Sequence, residues 1–166
     1  GSGFSEADEH EKAKAMALAE ESDVIVAVVG GSSSRFGGAV FDANGAASKG
    51  TGSRSMDCGE GMDTAKVHIP AAQEELIAAL ARLGKPLVTV VIAGRAYCIE
   101  KIENASDAVL YAFYPGPMGG RAVAELLYGS SNPSGRLPVS MPRHVGQIPV
   151  CYNYRTSVAP AYCDMT

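Results

Sequence analysis

Three hydrophobic runs, separated by segments with helical patterning, constrain the fold more than any other feature of this sequence. Residues 23–30 read "DVIVAVVG", residues 86–94 read "PLVTVVIAG" and residues 107–114 read "DAVLYAFY". Continuous β-branched and aliphatic runs of this length are typical of strands buried on both faces of a parallel sheet. Because parallel strands are joined by right-handed crossovers, the sequence predicts an α/β fold, a three-layer α/β/α sandwich with a mostly parallel sheet.

Helical patterns lie between these runs. Residues 5–21 are rich in helix formers, with Ser5 as the predicted N-cap and acidic residues in the first turns. Residues 71–83 and residues 119–128 each place apolar side chains on one helical face. After Gly129 the chain is rich in proline, which removes backbone donors, so only short extended pieces are predicted there.

Length and charge exclude several classes of protein. The chain has 166 residues, which is the size of one ordinary domain, and a formal net charge of −4. Its basic residues form no concentrated patch, so a nucleic-acid partner is not predicted. No apolar run reaches the ~18 residues of a membrane span. Residues 1–3, Gly-Ser-Gly, read as a cloning remnant, so residues 4–166 are predicted to form the single domain. The sequence predicts no particular cellular compartment.

No cofactor or metal site is predicted. The cysteines show no C-x-x-C pair, and the histidines have no ligand spacing, so free thiols and surface imidazoles are expected. The glycines after the first strand lack both the G-x-G-x-x-G and the GK[ST] pattern, which disfavours nucleotide binding. The residues concerned are Cys58, Cys98, Cys151, Cys163, His10, His68 and His144.

The connection formed by residues 31–69 is unusually long. Strand-to-helix connections in α/β units normally have ~2–6 residues, and long ones are often functional. In open α/β sheets ligands bind beyond the carboxyl ends of the strands, where this loop must begin. Within it, "SMDCGEGMD" places Asp57, Glu60 and Asp63 among glycines. The sequence therefore predicts an active-site-type loop at 31–69.

Several motifs carry a resemblance to a known family. In order they are "CGEGMD", "IPAAQEELIAAL", "GKPLVTVVIAGRAY", "YPGPMGGRAVAELLYGSSNPSGRLP" and "PRHVGQIPVCYN". From about residue 23 to residue 153 the chain resembles the second, α/β sandwich domain of family 3 glycoside hydrolases, the β-glucosidase and β-xylosidase group. Domains of that family begin with an earlier βαβ portion leading from a (β/α)8 barrel. The resemblance therefore implies an incomplete sandwich domain.

The resemblance also implies a function: the acid/base-bearing portion of a retaining exo-acting β-glycosidase that hydrolyses terminal β-linked glucosides or xylosides. In that family an aspartate nucleophile lies on the barrel, and in many members a glutamate acid/base lies on a loop of the sandwich domain. The matching motif falls on Glu60. Such chemistry needs two carboxyl groups ~5–5.5 Å apart and no metal or organic cofactor. Without the nucleophile-bearing barrel, the isolated chain is expected to be inactive.

Other interpretations stay open. The chain could be a non-catalytic carbohydrate-binding or assembly module in which Glu60 is an incidental loop residue, and saturable sugar binding by the isolated chain would favour that. Missing strands would leave a sheet edge or an apolar helix face uncovered, so a homo-oligomer is expected. Arg95 and Arg121 are expected to cap secondary-structure elements rather than to contact sugar hydroxyls. Tyr114 is expected to be a core aromatic rather than a sugar platform.

Overall fold

The computed structural model describes residues 8–33, 40–41, 43–45, 47–48, 57–58, 64–151 and 153. In chain order their elements are α1 (Glu9–Glu21), β1 (Ile25–Gly30), β2 (Val40–Phe41), β3 (Ala47–Ser48), α2 (Ala71–Ala81), β4 (Leu87–Ile92), α3 (Glu100–Ala105), β5 (Ala108–Tyr111), α4 (Gly119–Leu127) and a 3-10 helix (Val145–Gln147). None of the described helices is long and apolar enough to cross a membrane.

The three predicted strands form one parallel sheet in the order β1-β4-β5. The register pairs Ile25 with Leu87 and Gly30 with Ile92, so β1 and β4 run side by side over their full length. Because all three strands point the same way, their carboxyl ends share one edge of the sheet. The short strands β2 and β3 form a separate antiparallel pair within the long connection, which the sequence analysis treated only as a loop.

Helices lie on both faces of the sheet. On one face, α1, α2 and α3 cover a core that includes Ile77 and Ile102, both fully buried. On the other face, α4 directs Val123 and Leu127 toward side chains of β1 and β4. This arrangement confirms the predicted three-layer α/β/α sandwich.

The prediction that β1 is buried on both faces is wrong. Val24, Val26 and Val28 are 53%, 48% and 64% exposed, whereas the alternate residues Ile25 and Val29 belong to the core. A cavity of about 650 Å³ separates this valine face from α4. Among the strands that the structure describes, β1 lies at the edge of the sheet, and only its α1–α2 side is covered closely. The central strand β4, by contrast, is buried on both faces as predicted, because Val90 and Val91 face opposite sides of the sheet and are both buried.

Two helical details also differ from the sequence analysis. Helix α1 begins at Glu9, and the Asp8 carboxylate caps it by accepting hydrogen bonds from the backbone N–H groups of His10 and Glu11. The predicted cap Ser5 lies outside the described residues. Helix α3 was not predicted, because six residues are too short to show a helical period. It is held by the buried Ile102 and by an ion pair of 2.7 Å between its Lys101 and Glu74 of α2.

Candidate functional site

The carboxyl ends of β1, β4 and β5 meet at one edge of the sheet and form the candidate site. The segments that follow the strands, residues 31–33, 93–97 and 112–115, are joined to the sheet by backbone hydrogen bonds. The N–H of Gly31 donates to the carbonyl of Ile92 at 3.1 Å, and the N–H of Ala93 donates to the carbonyl of Phe113 at 3.1 Å. These bonds link the ends of all three strands into one continuous rim.

Asp57, from the long connection, lies at this rim. Its N–H donates to the carbonyl of Ser32 at 3.1 Å, and its Oδ1 accepts the N–H of Ser32 at 2.7 Å. Its Oδ2 accepts a hydrogen bond from the hydroxyl of Tyr97. One carboxylate therefore joins the segment after β1 to the segment after β4.

Cys58 extends the same attachment to the third strand. Its N–H donates to the carbonyl of Ser32 at 3.4 Å, and its Sγ lies 3.1 Å from the hydroxyl of Tyr114, which follows β5. The thiol is free and buried. Tyr114 is 47% exposed, so the expectation that it is a core aromatic is wrong. Its ring lies over Gly94, where an added Cβ would come within 2.5 Å of it.

Glycine at position 31 is required by this packing. A Cβ at Gly31 would lie 2.2 Å from the Tyr97 hydroxyl oxygen and within 2.9 Å of both Asp57 carboxylate oxygens. Real Cβ atoms do not approach other heavy atoms this closely, so any side chain here would displace either the tyrosine or the carboxylate. The space between Tyr97 and Asp57 is therefore available only to a backbone without a side chain.

Two tyrosines of the rim, Tyr97 and Tyr111, donate hydrogen bonds through their hydroxyls. Burial, and then the hydrogen bond to Asp57, raise the pKa of Tyr97 above its ordinary value. Burial likewise raises the pKa of Tyr111 to about 12. The Tyr111 hydroxyl donates to the carbonyl of Arg95 at 2.5 Å, which fixes the turn after β4 against β5. Both hydroxyls keep their protons near neutral pH, and the Asp57 carboxylate has a permanent donor in Tyr97.

The structure accounts for some predicted site residues and not for others. Glu60 and Asp63 lie outside the described residues. Arg121 lies in the first turn of α4 and forms a 2.7 Å ion pair with Glu125 on the same helix, in keeping with a structural role. Arg95 is partly buried in the turn after β4. Within the described ranges no three His, Cys, Asp or Glu side chains are grouped as a metal site would require.

The sequence analysis did not identify Tyr97 or Gly31 as site residues. Tyr97 is fully buried, and its partner Asp57 is 40 residues away in sequence. The only available signal was the position of "GRAY" directly after a buried strand, which places those residues at the ligand edge. The sequence contains no periodicity or motif that pairs this tyrosine with that aspartate.

Comparison with known proteins gives a consistent result. A family model described as the glycosyl hydrolase family 3 C-terminal domain matches residues 4–164. The chain is 39% identical over 147 residues to a periplasmic beta-glucosidase of Salmonella typhimurium, covering 89% of the chain and 16% of that protein. It is 42% identical over 101 residues to a beta-xylosidase of Formosa agariphila, covering 61% of the chain and 14% of that protein.

Solved structures show the same similarity. A crystal structure of beta-glucosidase from Listeria innocua in complex with glucose matches with a TM-score of 0.76 and 30% identity, over 98% of this chain and 21% of the other. A β-glucosidase from Erythrobacter marinus matches with a TM-score of 0.75 and 34% identity, over 97% of this chain and 20% of the other. The chain thus spans about a fifth or less of the length of these relatives.

Proposed function

The chain belongs to the glycosyl hydrolase family 3 C-terminal domain family, and from this premise we propose that it supplies the acid/base glutamate, Glu60, of a retaining exo-acting β-glycosidase. The relatives named above are β-glucosidases and a β-xylosidase, which supports a terminal β-linked glucoside or xyloside as substrate. A (β/α)8 barrel domain is the proposed partner that supplies the aspartate nucleophile.

The observation that carries this proposal is the attachment of Asp57 and Cys58 at the carboxyl edge of the sheet. Glu60 follows Cys58 by two residues in sequence, and two residues of extended chain span at most ~7 Å. In open α/β sheets this edge is where ligands bind. The glycines on either side of Glu60 are suited to a backbone that approaches a sugar closely.

In the proposed reaction Glu60 acts twice. Its protonated carboxyl first donates a proton to the glycosidic oxygen while the barrel aspartate attacks the anomeric carbon, so the glycosidic bond breaks and a glycosyl-enzyme ester forms. The resulting carboxylate then removes a proton from water, which attacks the anomeric carbon and releases the aspartate. The sugar keeps its anomeric configuration, because each of the two displacements inverts it.

The test compares leaving groups in the complete enzyme, the chain together with its barrel. A Glu60→Gln variant is expected to lose far more kcat/KM on alkyl glycosides, whose leaving groups need protonation, than on activated aryl glycosides, because kcat/KM reports the step in which the leaving group departs. Glu75→Gln, an exposed change on α2, serves as the matched control and should leave both rates unchanged. Equal losses of Glu60→Gln on both substrate types would contradict an acid/base role.

For the chain by itself, we propose that a second copy covers the valine face of β1. The face consists of Val24, Val26 and Val28 on an edge strand, and it continues into a 650 Å³ groove beneath α4. Contiguous apolar surface beside a strand edge that no described strand pairs with favours association, because contact removes that surface from water.

Self-association through this face can be measured directly. The isolated chain is expected to sediment as a dimer, and Val26→Lys and Val28→Lys should shift it toward a monomer, because each places a charge in the contact. Val145→Lys, in the 3-10 helix away from the groove, should leave the dimer intact. A monomeric wild-type chain, or dissociation by the control variant alone, would contradict the proposal.

A further inference from the structure

We propose that Asp57 and Tyr97 are positioning residues for the acid/base step: their hydrogen bond fixes the start of the Glu60 segment to the sheet edge, and so determines whether Glu60 reaches the glycosidic oxygen. This inference rests on the function proposed above. It adds a role for two side chains, neither of which touches the substrate in the proposed reaction.

The hydrogen bond between Tyr97 and Asp57 has a rigid support. Tyr97 is fully buried within the hydrophobic core that α2, β1 and β4 share, so its hydroxyl has little freedom to move. In the described part of the chain, this hydroxyl donates its proton to the Asp57 carboxylate. A donor mounted on packed core structure can hold a loop residue in place far better than a surface side chain can.

Asp57 accepts hydrogen bonds from two directions. Ser32 and Tyr97 donate to different oxygens of the same carboxylate, and they come from the segments after β1 and β4 respectively. A carboxylate held from two sides can neither rotate nor withdraw without losing a charge-assisted hydrogen bond. The backbone of Asp57 and Cys58 is thereby held in position as well, since both residues also donate N–H groups to the Ser32 carbonyl.

The proposed proton transfer requires accurate placement of Glu60. A general acid must come within ~2.6–3.2 Å of the oxygen that it protonates. A misplacement of ~1 Å can cost ~100-fold in rate. Because Glu60 lies two residues after Cys58, this fixed point confines its backbone to within ~7 Å of Cys58, a far tighter limit than the whole connection of residues 31–69 would set.

The test uses Tyr97→Phe and Asp57→Asn in the complete enzyme. Tyr97→Phe removes one hydroxyl and keeps the buried ring, whereas Asp57→Asn keeps the shape of the side chain and removes its charge. Tyr111→Phe is the matched control, because it removes a hydroxyl from a neighbouring, partly buried tyrosine that bonds the Arg95 carbonyl rather than Asp57. Thermal unfolding of each variant establishes the temperature range in which all of them are folded.

The expected signature is a dependence on the leaving group. Tyr97→Phe and Asp57→Asn should each lower kcat/KM on an alkyl glycoside by ~10- to 100-fold, the range expected for misplacement of a reacting group, and should lower kcat/KM on an activated aryl glycoside much less. KM for the alkyl glycoside should change little, because its slow step is the formation of the glycosyl-enzyme. In the double variant Tyr97→Phe/Glu60→Ala, the alkyl-glycoside rate should equal that of Glu60→Ala alone, because no carboxyl is left to position.

The outcomes separate the two proposals. If Glu60→Ala itself shows no dependence on the leaving group, the acid/base proposal fails and the positioning role falls with it. If Glu60→Ala shows the dependence but the two positioning variants lose rate equally on both substrates, or no more than Tyr111→Phe, the positioning role is overturned while the acid/base role stands. A double variant slower by the full product of the single effects would also overturn it.

Discussion

Azide is expected to restore turnover to a Glu60→Ala variant of the complete enzyme on an activated aryl β-glucoside. Loss of general acid/base assistance should lower the rate of an alkyl glycoside by ~10²–10⁴-fold. An activated aryl glycoside still forms the glycosyl-enzyme, because its leaving group departs without a proton. The ester then accumulates, since water lacks the base that would deprotonate it.

Azide can attack the glycosyl-enzyme without a general base, because it is already an anion. Its terminal nitrogen can attack the anomeric carbon directly and displace the barrel aspartate, which yields a β-glycosyl azide with retained configuration. Product analysis by NMR, together with rates at increasing azide concentration, measures the effect. The control Glu75→Ala should show no acceleration. Absence of a glycosyl azide from Glu60→Ala would contradict the assignment of Glu60 as the base.

Gly30→Ala is expected to destabilise the chain severely. Gly30 ends β1 with a φ of +153°, and a Cβ at this position would lie 1.7 Å from the carbonyl oxygen of Ile92 in β4. That oxygen accepts the N–H of Gly31, and the backbone N–H and C=O of Gly30 both bond the side-chain amide of Gln73, at 2.7 and 3.1 Å. An added methyl group must therefore separate β1 from β4 at the rim.

We expect the free energy of unfolding to fall by on the order of 3 kcal/mol, the upper range for a backbone held in a strained conformation. Gly120→Ala is the matched control, because a Cβ there meets no atom within 4 Å and the residue lies within α4. Alanine is the better helix former, so this variant should unfold within about 1 kcal/mol of the wild type. Urea denaturation followed by circular dichroism measures both. A Gly30→Ala chain as stable as the wild type would show that the strand ends can separate at little cost.

The secondary structure was predictable where the signal lies within one segment. The runs over residues 23–30 and 86–94 contain their own evidence for strands, and the apolar stripe of residues 71–83 contains its own evidence for a helix. Parallel pairing then follows from the alternation of strands and helices. The family motifs, such as "NPSGRLP", are local in the same sense, which is why the family could be recognised before the fold was known.

The short helix α3 and the pair formed by β2 and β3 were not predictable in this way. Helix α3 has six residues and strands β2 and β3 have two each, which is too few to show a helical or strand periodicity in the sequence. Helix α3 forms because Ile102 is buried against the core and Lys101 pairs with Glu74, and both contacts come from tertiary packing. Here the packing determines a local structure that the local sequence leaves open.

Local sequence patterns were enough to predict the strands, the longer helices, the parallel sheet and the long glycine-rich connection that contains Glu60. Three features depend on the packing of the whole chain: which face of β1 is covered, why position 31 must be glycine, and that Tyr97 contacts Asp57 across 40 residues. The reason is physical: hydrophobic periodicity records how a segment partitions between core and water. It contains no information about which distant segment packs against a strand face or provides a hydrogen-bond partner, because both depend on how the whole chain packs.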